Sequence, residues 1–295
     1  MKWPKITSET RVLIQGMTGK EGVRMAEWMM RGGTEVAAGI NPKKAGQTVH
    51  GKPIFAAVKD ALAYDPRIAM SSIVVPAPFV LDAAREAFDA GIRFVHILTE
   101  RVPVHDVLQL RALALAHEGI VLGPSSVGML QFPRFRIGYV GGERPFDVLR
   151  EGSLALVSVS GGMTNEMLMS LAHSGMGIRI VMHLGGDRVN GFGMEEAISA
   201  CDTMEDVRAF ALFAEPGNPI LREIAQGRFR PRKPAAMLLP GDALESMPRG
   251  LPFGHAGTIV GEDDPPLAEV RASIRGRGIP CSHSMSDFIS ACTHL

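Results

Sequence analysis

His255 is the side chain in this sequence best placed by its neighbours for covalent chemistry. It stands in the loop Pro252-Phe253-Gly254-His255-Ala256-Gly257. Flanking glycine lets a loop bend and present the ring, and a neutral imidazole near pH 7 is a competent nucleophile toward phosphorus. Most histidines are packed or solvated, so the glycines are what set this one apart from the other eight. Glu215 ends an apolar run just before Pro216-Gly217 and could hold the second ring nitrogen, fixing the tautomer. An anion receptor can be read in Ser158-Val159-Ser160-Gly161-Gly162-Met163-Thr164-Asn165-Glu166. Small residues where a strand becomes a helix leave N–H groups for an incoming anion, helped by the helix dipole. An ordinary N-cap by Ser160, worth about 1 kcal/mol, would explain the same residues without any ligand.

A second glycine-rich turn lies near the N-terminus, Gly16-Met17-Thr18-Gly19-Lys20-Glu21-Gly22. Between a strand and a helix, such glycines let a phosphate approach the backbone, although glycine also makes tight turns in inert proteins. A dinucleotide site wants Asp or Glu at the end of the next strand to hold ribose hydroxyls. Here that strand runs into Ile40-Asn41-Pro42-Lys43-Lys44. Two lysines in place of an acid suit a ligand with additional phosphate. NADP or coenzyme A meets that condition and NAD does not; plain solvated surface lysines are the alternative.

These groups need a scaffold, and the chain is long enough for one. At roughly 150 residues per domain, 295 residues make two, each with its own core. Lys+Arg and Asp+Glu are both 31, so no basic excess favours general nucleic-acid binding. Apolar runs break well short of the roughly 18 residues of a membrane span. The start, MKWPKITSETR, has no apolar core and does not read as a secretory signal. Cys201, Cys281 and Cys292 make no CxxC pair, which suits a reducing compartment such as the cytoplasm and no metal site.

Short apolar runs alternate with helical stretches, the signature of an α/β fold with parallel sheets covered on both faces. In the first half, strands are predicted at 11–15, 35–40, 72–75, 94–98 and 120–122, with helices at 20–31, 79–90 and 104–117. The rhythm breaks between Gln131 and Gly152, where Pro133, Gly138, Gly141, Gly142 and Pro145 crowd together. That places a boundary between domains 1–147 and 148–295. The pattern restarts with strands at 154–159, 178–183, 209–214 and 235–239 and helices at 163–174, 195–200 and 265–277. Two doubly wound domains fit this order.

Taken together, the motifs resemble the superfamily of succinyl-CoA synthetase α subunits and ATP-citrate lyase (citryl-CoA synthetase). The likeness runs in order through Gln15-Gly16-Met17-Thr18-Gly19, Val75-Pro76-Ala77-Pro78-Phe79, Leu98-Thr99-Glu100, Gly123-Pro124, Ser160-Gly161-Gly162, Gly185-Gly186-Asp187 and Gly254-His255-Ala256-Gly257. It covers nearly the whole chain. It implies a Rossmann-like CoA-binding domain followed by a flavodoxin-like ligase domain. It implies an acid–CoA ligase, nucleoside-diphosphate-forming, working through a phosphohistidine at His255. Glu215 would hold that histidine, and Ser160, Gly161 and Gly162 would receive its phosphate. Thr18, Gly19, Lys20, Glu21, Lys43, Lys44, Pro76, Leu98, Thr99 and Glu100 correspond to cofactor positions. Asn165 and Ser126 correspond to positions near the acid. ATP or GTP with Mg2+ would bind a separate ATP-grasp β-type partner in an α2β2-like assembly.

The sequence also departs from that family. Val159 replaces an Arg usual between the two serines, Glu215 is followed by Pro216-Gly217-Asn218, and residues 244–253 lack the usual Pro-Lys-Gly run. Asn165, in place of a tyrosine, inclines the reading toward citrate or a related polycarboxylate. Two rival readings stand beside it. Ser160, Glu215 and His255 occur in the order used by α/β-hydrolases, but that elbow wants Gly two residues before the serine, where this chain has Ser158. The other rival is a non-catalytic, CoA-binding regulatory relative.

Overall fold

The computed structural model describes residues 3–7, 9–187, 189–250, 261 and 264–295. Contacts divide it into two compact units. One runs up to Val148 and includes Val189–Phe192; the other takes the chain from Leu149 onward without that segment. The sequence boundary falls after residue 147, and the short return of Val189–Phe192 has no counterpart in it.

In the first unit β1 (Arg11–Gln15) leads through the glycine turn into α1 (Lys20–Arg31), then β2 (Glu35–Ile40). Burial on α1 falls on Gly22, Met25, Ala26 and Met29, the i, i+3, i+4, i+7 stripe of an amphipathic helix. Gly32 and Gly33 end it, Gly33 at φ +84, a conformation that costs glycine little. There follow β3 (Thr48–Val49), β4 (Lys52–Phe55), α2 (Val58–Tyr64), β5 (Ile68–Ile73), α3 (Val80–Asp89), β6 (Phe94–Ile97), α4 (Val104–Ala116) and β7 (Ile120–Leu122). The sheet order is β3-β4-β2-β1-β5-β6-β7, parallel throughout except for the β3–β4 hairpin at the edge. Without that edge strand it is the 3-2-1-4-5-6 order of a Rossmann fold. A hairpin of β8 (Gly128–Gln131) and β9 (Phe135–Gly138) packs β9 on α1.

β5 differs from expectation. The sequence favours 72–75, the β-branched run before Pro76, whereas pairing with β1 begins at Arg11↔Ile68 and ends at Gln15↔Ile73. Val74 still donates its N–H to Gln15 O at 2.9 Å, so the backbone stays in register one residue past the strand.

The second unit contains β10 (Glu151–Ser158), α5 (Gly161–His173), β11 (Ile178–His183), α6 (Met194–Asp202), β12 (Ala209–Phe213), α7 (Pro219–Ala225), β13 (Ala235–Leu238), α8 (Leu267–Gly276), β14 (Cys281–Ser282) and α9 (Met285–Cys292). Its five strands are parallel in the order β14-β13-β12-β10-β11. Numbered along the chain this is 5-4-3-1-2, the flavodoxin-like order. β12 is buried at every residue, and Phe210 and Phe213 are among the largest fully enclosed side chains. No described helix is long and apolar enough to cross a membrane.

Candidate functional site

Open α/β sheets bind ligands outside the carboxyl ends of their strands, at the point where strand order reverses. In the first unit that point lies between β1 and β5. Gly16, at φ +89, leaves β1 there and donates its N–H to Ile40 O at 2.9 Å. A Cβ on Gly16 would come 3.0 Å from Val74 O, so the turn after β1 lies directly against the end of β5. Gly22 is tighter still: a Cβ would fall 2.3 Å from Gly16 O and 2.7 Å from Met17 Cα. The glycines are therefore required by close backbone packing, which brings the first turn of α1 over the strand ends.

Gly19 is the N-cap of α1 and carries no capping side chain. Thr18 receives a hydrogen bond from Asn41 Nδ2 at 2.6 Å, and Asn41 Oδ1 accepts the Lys43 N–H at 3.0 Å. Asn41 thus ties the turn after β1 to the turn after β2, a role the sequence reading missed; the Asn-Pro pair at 41–42 was its signal. Lys20, Lys43 and Lys44 are exposed around these turns. Glu21 accepts from Arg24 Nη2 at 2.7 Å and from Tyr139 OH at 3.0 Å, and Arg24 lies 4.9 Å over the Tyr139 ring. The bond to Tyr139 leads the causes that raise the Arg24 pKa, while burial leads those that raise the Tyr139 pKa.

The strand registers Gln15↔Ile40, Gln15↔Ile73 and Ile73↔Ile97 align the ends of β2, β1, β5 and β6. Pro76 and the run Leu98-Thr99-Glu100 therefore follow strand ends on the same edge as the glycine turn. Thr99 Oγ1 donates to Val75 O at 2.6 Å, and Ser125 N–H donates to Thr99 O at 2.9 Å. Ser126, next in the chain, is fully buried. Every cofactor position expected in the first half, with Ser126, lies along this one edge.

In the second unit the strand order reverses between β10 and β12, which pair as Ser158↔Phe213. Ser160 and Glu215 each lie two residues past that pair, so both emerge at the reversal. Ser160 has N-cap backbone angles (φ −125°, ψ 122°), yet its side chain makes no capping hydrogen bond. The ordinary serine-cap reading is therefore corrected: Ser160 N–H and O both bond to Ser158 Oγ at 3.2 Å, and Thr164 Oγ1 donates to Ser160 O at 2.6 Å. Gly161 opens the helix and Gly162 is exposed, with nothing within 4 Å of where its Cβ would stand. Asn165, one turn into α5, donates from Nδ2 to Gly161 O at 3.3 Å.

His255 lies outside the described residues. The described residues before and after 251–260 are tied down. Arg271 Nη1 donates to Leu239 O at 3.0 Å, its Nη2 pairs with Asp242, and Arg249 Nη1 donates to Gly261 O at 3.1 Å. A cleft of about 410 Å³ opens between α7 and α8, lined by Asn218, Leu221, Arg222, Asp264 and Leu267 among others. Asn218 N–H donates to Glu215 O at 3.1 Å. Among the described residues no group of three or more His, Cys, Asp or Glu side chains could hold a metal ion.

Comparison with known proteins agrees with both halves. The family described as CoA binding domain matches residues 7–101. Subunit alpha 1 of the ADP-forming succinate–CoA ligase of Archaeoglobus fulgidus is 31% identical over 285 residues, 96% of this chain and 95% of that one. A subunit of the ADP-forming sulfoacetate–CoA ligase of Bilophila wadsworthia is 31% identical over 261 residues, 86% of this chain and 86% of that one. Among solved structures, ATP citrate lyase from Methanothrix soehngenii, in complex with citrate and coenzyme A, superposes with a TM-score of 0.86. It is 24% identical, and the match covers 97% of this chain and 49% of the lyase chain, about half its length. That likeness is one of fold.

Proposed function

Because this chain belongs to the family of α subunits of ADP-forming acid–CoA ligases, we propose that it binds coenzyme A along the strand ends of its first unit and relays a phosphoryl group through His255 in its second. The observation that carries the reading is the position of the motifs. Each glycine-rich turn stands at the strand-order reversal of its own sheet, where such folds bind ligands.

The first site fits a phosphate-rich ligand. The N-cap of α1 has no side chain to occupy it, leaving first-turn N–H groups for phosphate, and three exposed lysines supply charge. Lys20, Lys43 and Lys44 hold phosphates, Thr18 and Gly19 line the turn, and Pro76, Leu98, Thr99 and Glu100 bound the far side. Coenzyme A brings the thiol that takes up the acyl group.

In the second unit His255 uses a ring nitrogen to take the phosphoryl group from the nucleotide, and ADP leaves. Glu215 accepts a hydrogen bond from the other ring nitrogen and steadies the imidazolium character that develops. The uncapped start of α5, at Ser160, Gly161 and Gly162, donates N–H groups to the phosphoryl oxygens in transit. His255 then gives phosphorus to the carboxylate of the acid, restoring a neutral ring and forming an acyl phosphate. Thiol attack on that acyl carbon expels phosphate. Asn165, one turn into α5, selects the acid, and citrate or a related polycarboxylate is the class we favour. Ser126 is fully buried, with its N–H, carbonyl and hydroxyl all engaged, and is left to shape the turn after β7. The nucleotide site belongs to an ATP-grasp β-type partner, and the pair works in the cytoplasm as an α2β2-like assembly.

The test is phosphoryl capture. Purified chain, incubated with its ATP-grasp partner and γ-labelled ATP, should yield an acid-labile, base-stable phosphoprotein. His255→Asn should abolish the label, and equal labelling of that variant would refute the assignment.

A further inference from the structure

β6 is apolar except for His96, which is fully buried between Val95 and Ile97. A buried imidazole is costly unless both nitrogens find partners. Here both do. Nδ1 lies 2.8 Å from Ser72 Oγ on β5, and Nε2 lies 2.9 Å from Ser126 O, in the turn after β7. A carbonyl can only accept, so Nε2 carries the proton and donates; Nδ1 must then accept from the Ser72 hydroxyl. The ring is neutral, and burial pushes its pKa down to about 4. β9 closes over it, since a Cβ on Gly138 would come 3.0 Å from His96 Cε1.

What this ring holds matters more than the ring itself. Ser126 is gripped at three atoms: its N–H donates to Ile97 O at 3.2 Å, its carbonyl accepts from His96, and its Oγ accepts the Gly128 N–H at 3.0 Å. The preceding Ser125 has φ +57, a left-handed conformation costing a side-chain-bearing residue about 1 kcal/mol or more. Such a turn persists only when its surroundings hold it, and Ser125 N–H is itself bonded to Thr99 O. Thr99 in turn grips Val75 O. Hydrogen bonds thus run from Ser72 through His96 to Ser126 and, across the Ser125–Ser126 peptide bond, from Ser125 through Thr99 to Val75, linking β5, β6 and the turn after β7.

We propose that His96 is a positioning residue for the cofactor site. With Ser72 it fixes the turn at Ser125 and Ser126 against Leu98-Thr99-Glu100, so the far wall of that site has one shape. The inference rests on the reading that these strand ends hold coenzyme A. His96 touches no ligand and transfers no proton; it acts through Ser126 and Thr99.

Coenzyme A titrated calorimetrically into the full-length chain tests both ideas separately. If the unaltered chain takes up no coenzyme A, the binding reading fails and this inference falls with it. If it binds, His96→Leu removes both nitrogens at similar bulk and should weaken binding roughly tenfold, the effect of one buried acceptor left unpaired. His96→Gln, whose amide can donate to Ser126 O, should recover most of that loss. A His96→Leu chain that melts cooperatively and binds coenzyme A like the unaltered chain overturns the proposal. Should His96→Leu not fold, Ser72→Ala keeps the ring while deleting the donor to Nδ1. It should lower affinity severalfold and show a second imidazole tautomer in ¹⁵N spectra; unchanged affinity with a single tautomer overturns the proposal equally.

Discussion

Acid should weaken the first unit through His96 in a way that one substitution removes. Unfolded, the imidazole titrates near the ordinary histidine value of 6.5; folded, burial outweighs the bond to Ser126 and lowers it to about 4. The unfolded chain therefore takes up a proton that the folded chain refuses. Stability from this source is fully present above about pH 6.5, declines as pH falls toward 4, and is flat below. A gap of about 2.5 units at 1.36 kcal/mol each amounts to about 3 kcal/mol, with a slope near 1.4 kcal/mol per pH unit between the two values. The chain has two tryptophans, and both Trp3 and Trp28 belong to the first unit. Urea unfolding followed by tryptophan fluorescence thus reports that unit alone. His96→Leu is less stable at pH 7, having lost two hydrogen bonds, but should lack this slope, so the two curves converge toward pH 4. The difference between the two curves isolates the contribution of the one group that the substitution removes. Parallel curves from pH 7 to 4 would refute the reasoning.

Gly22→Ala forces a Cβ to within 2.3 Å of Gly16 O, so the unit should lose about 1–3 kcal/mol by overpacking, and coenzyme A should no longer titrate. The double change Lys43→Ala, Lys44→Ala should weaken coenzyme A roughly tenfold and 3′-dephospho-coenzyme A far less, as separate calorimetric titrations would reveal. Thr164→Val deletes the 2.6 Å bond to Ser160 O and should cost about 1 kcal/mol in thermal unfolding. Labelling of the chain from γ-labelled ATP should slow in the same variant, since that bond holds the start of α5.

Much of the fold could be read from the sequence wherever an element carries its own periodicity. The stripe Gly22, Met25, Ala26, Met29 marks α1 from Lys20 to Arg31, and the apolar runs of β1, β2, β7 and β11 end where the structure ends them. Elements too short for a period escaped. The β3–β4 hairpin turns on His50 and Gly51, at φ +49 and +74, and histidine is an unusual bearer of that conformation. α7 spans seven residues, yet Asn218 caps it and Pro219 opens it, a start signal that went unused. The eight residues of α9 hide Phe288 and Cys292 in a stretch beyond the last element expected from the sequence. The site followed the same division. Turns such as Gly16 to Gly22 announce themselves in adjacent residues. The links from Ser72 to His96 and from His96 to Ser126 bridge 24 and 30 residues and exist only once the strands pair.

Val189–Phe192 belongs to the first unit, although about forty residues of the second separate it from Val148. Phe192 packs its ring 6.1 Å from Trp3, Asn190 O accepts from Arg111 Nη1 at 2.9 Å, and Gly191 N–H donates to Gly123 O at 2.7 Å. Synthesis from the amino end therefore cannot finish the leading half before part of the trailing half has been made. No single uninterrupted peptide ending at Val148 contains all of that half, and one stopped at residue 101 would also strip the partner strand from β6 and the carbonyl from His96. Dissecting this protein into independently folding pieces calls for a split-chain or circularly permuted design in which the four-residue stitch is supplied.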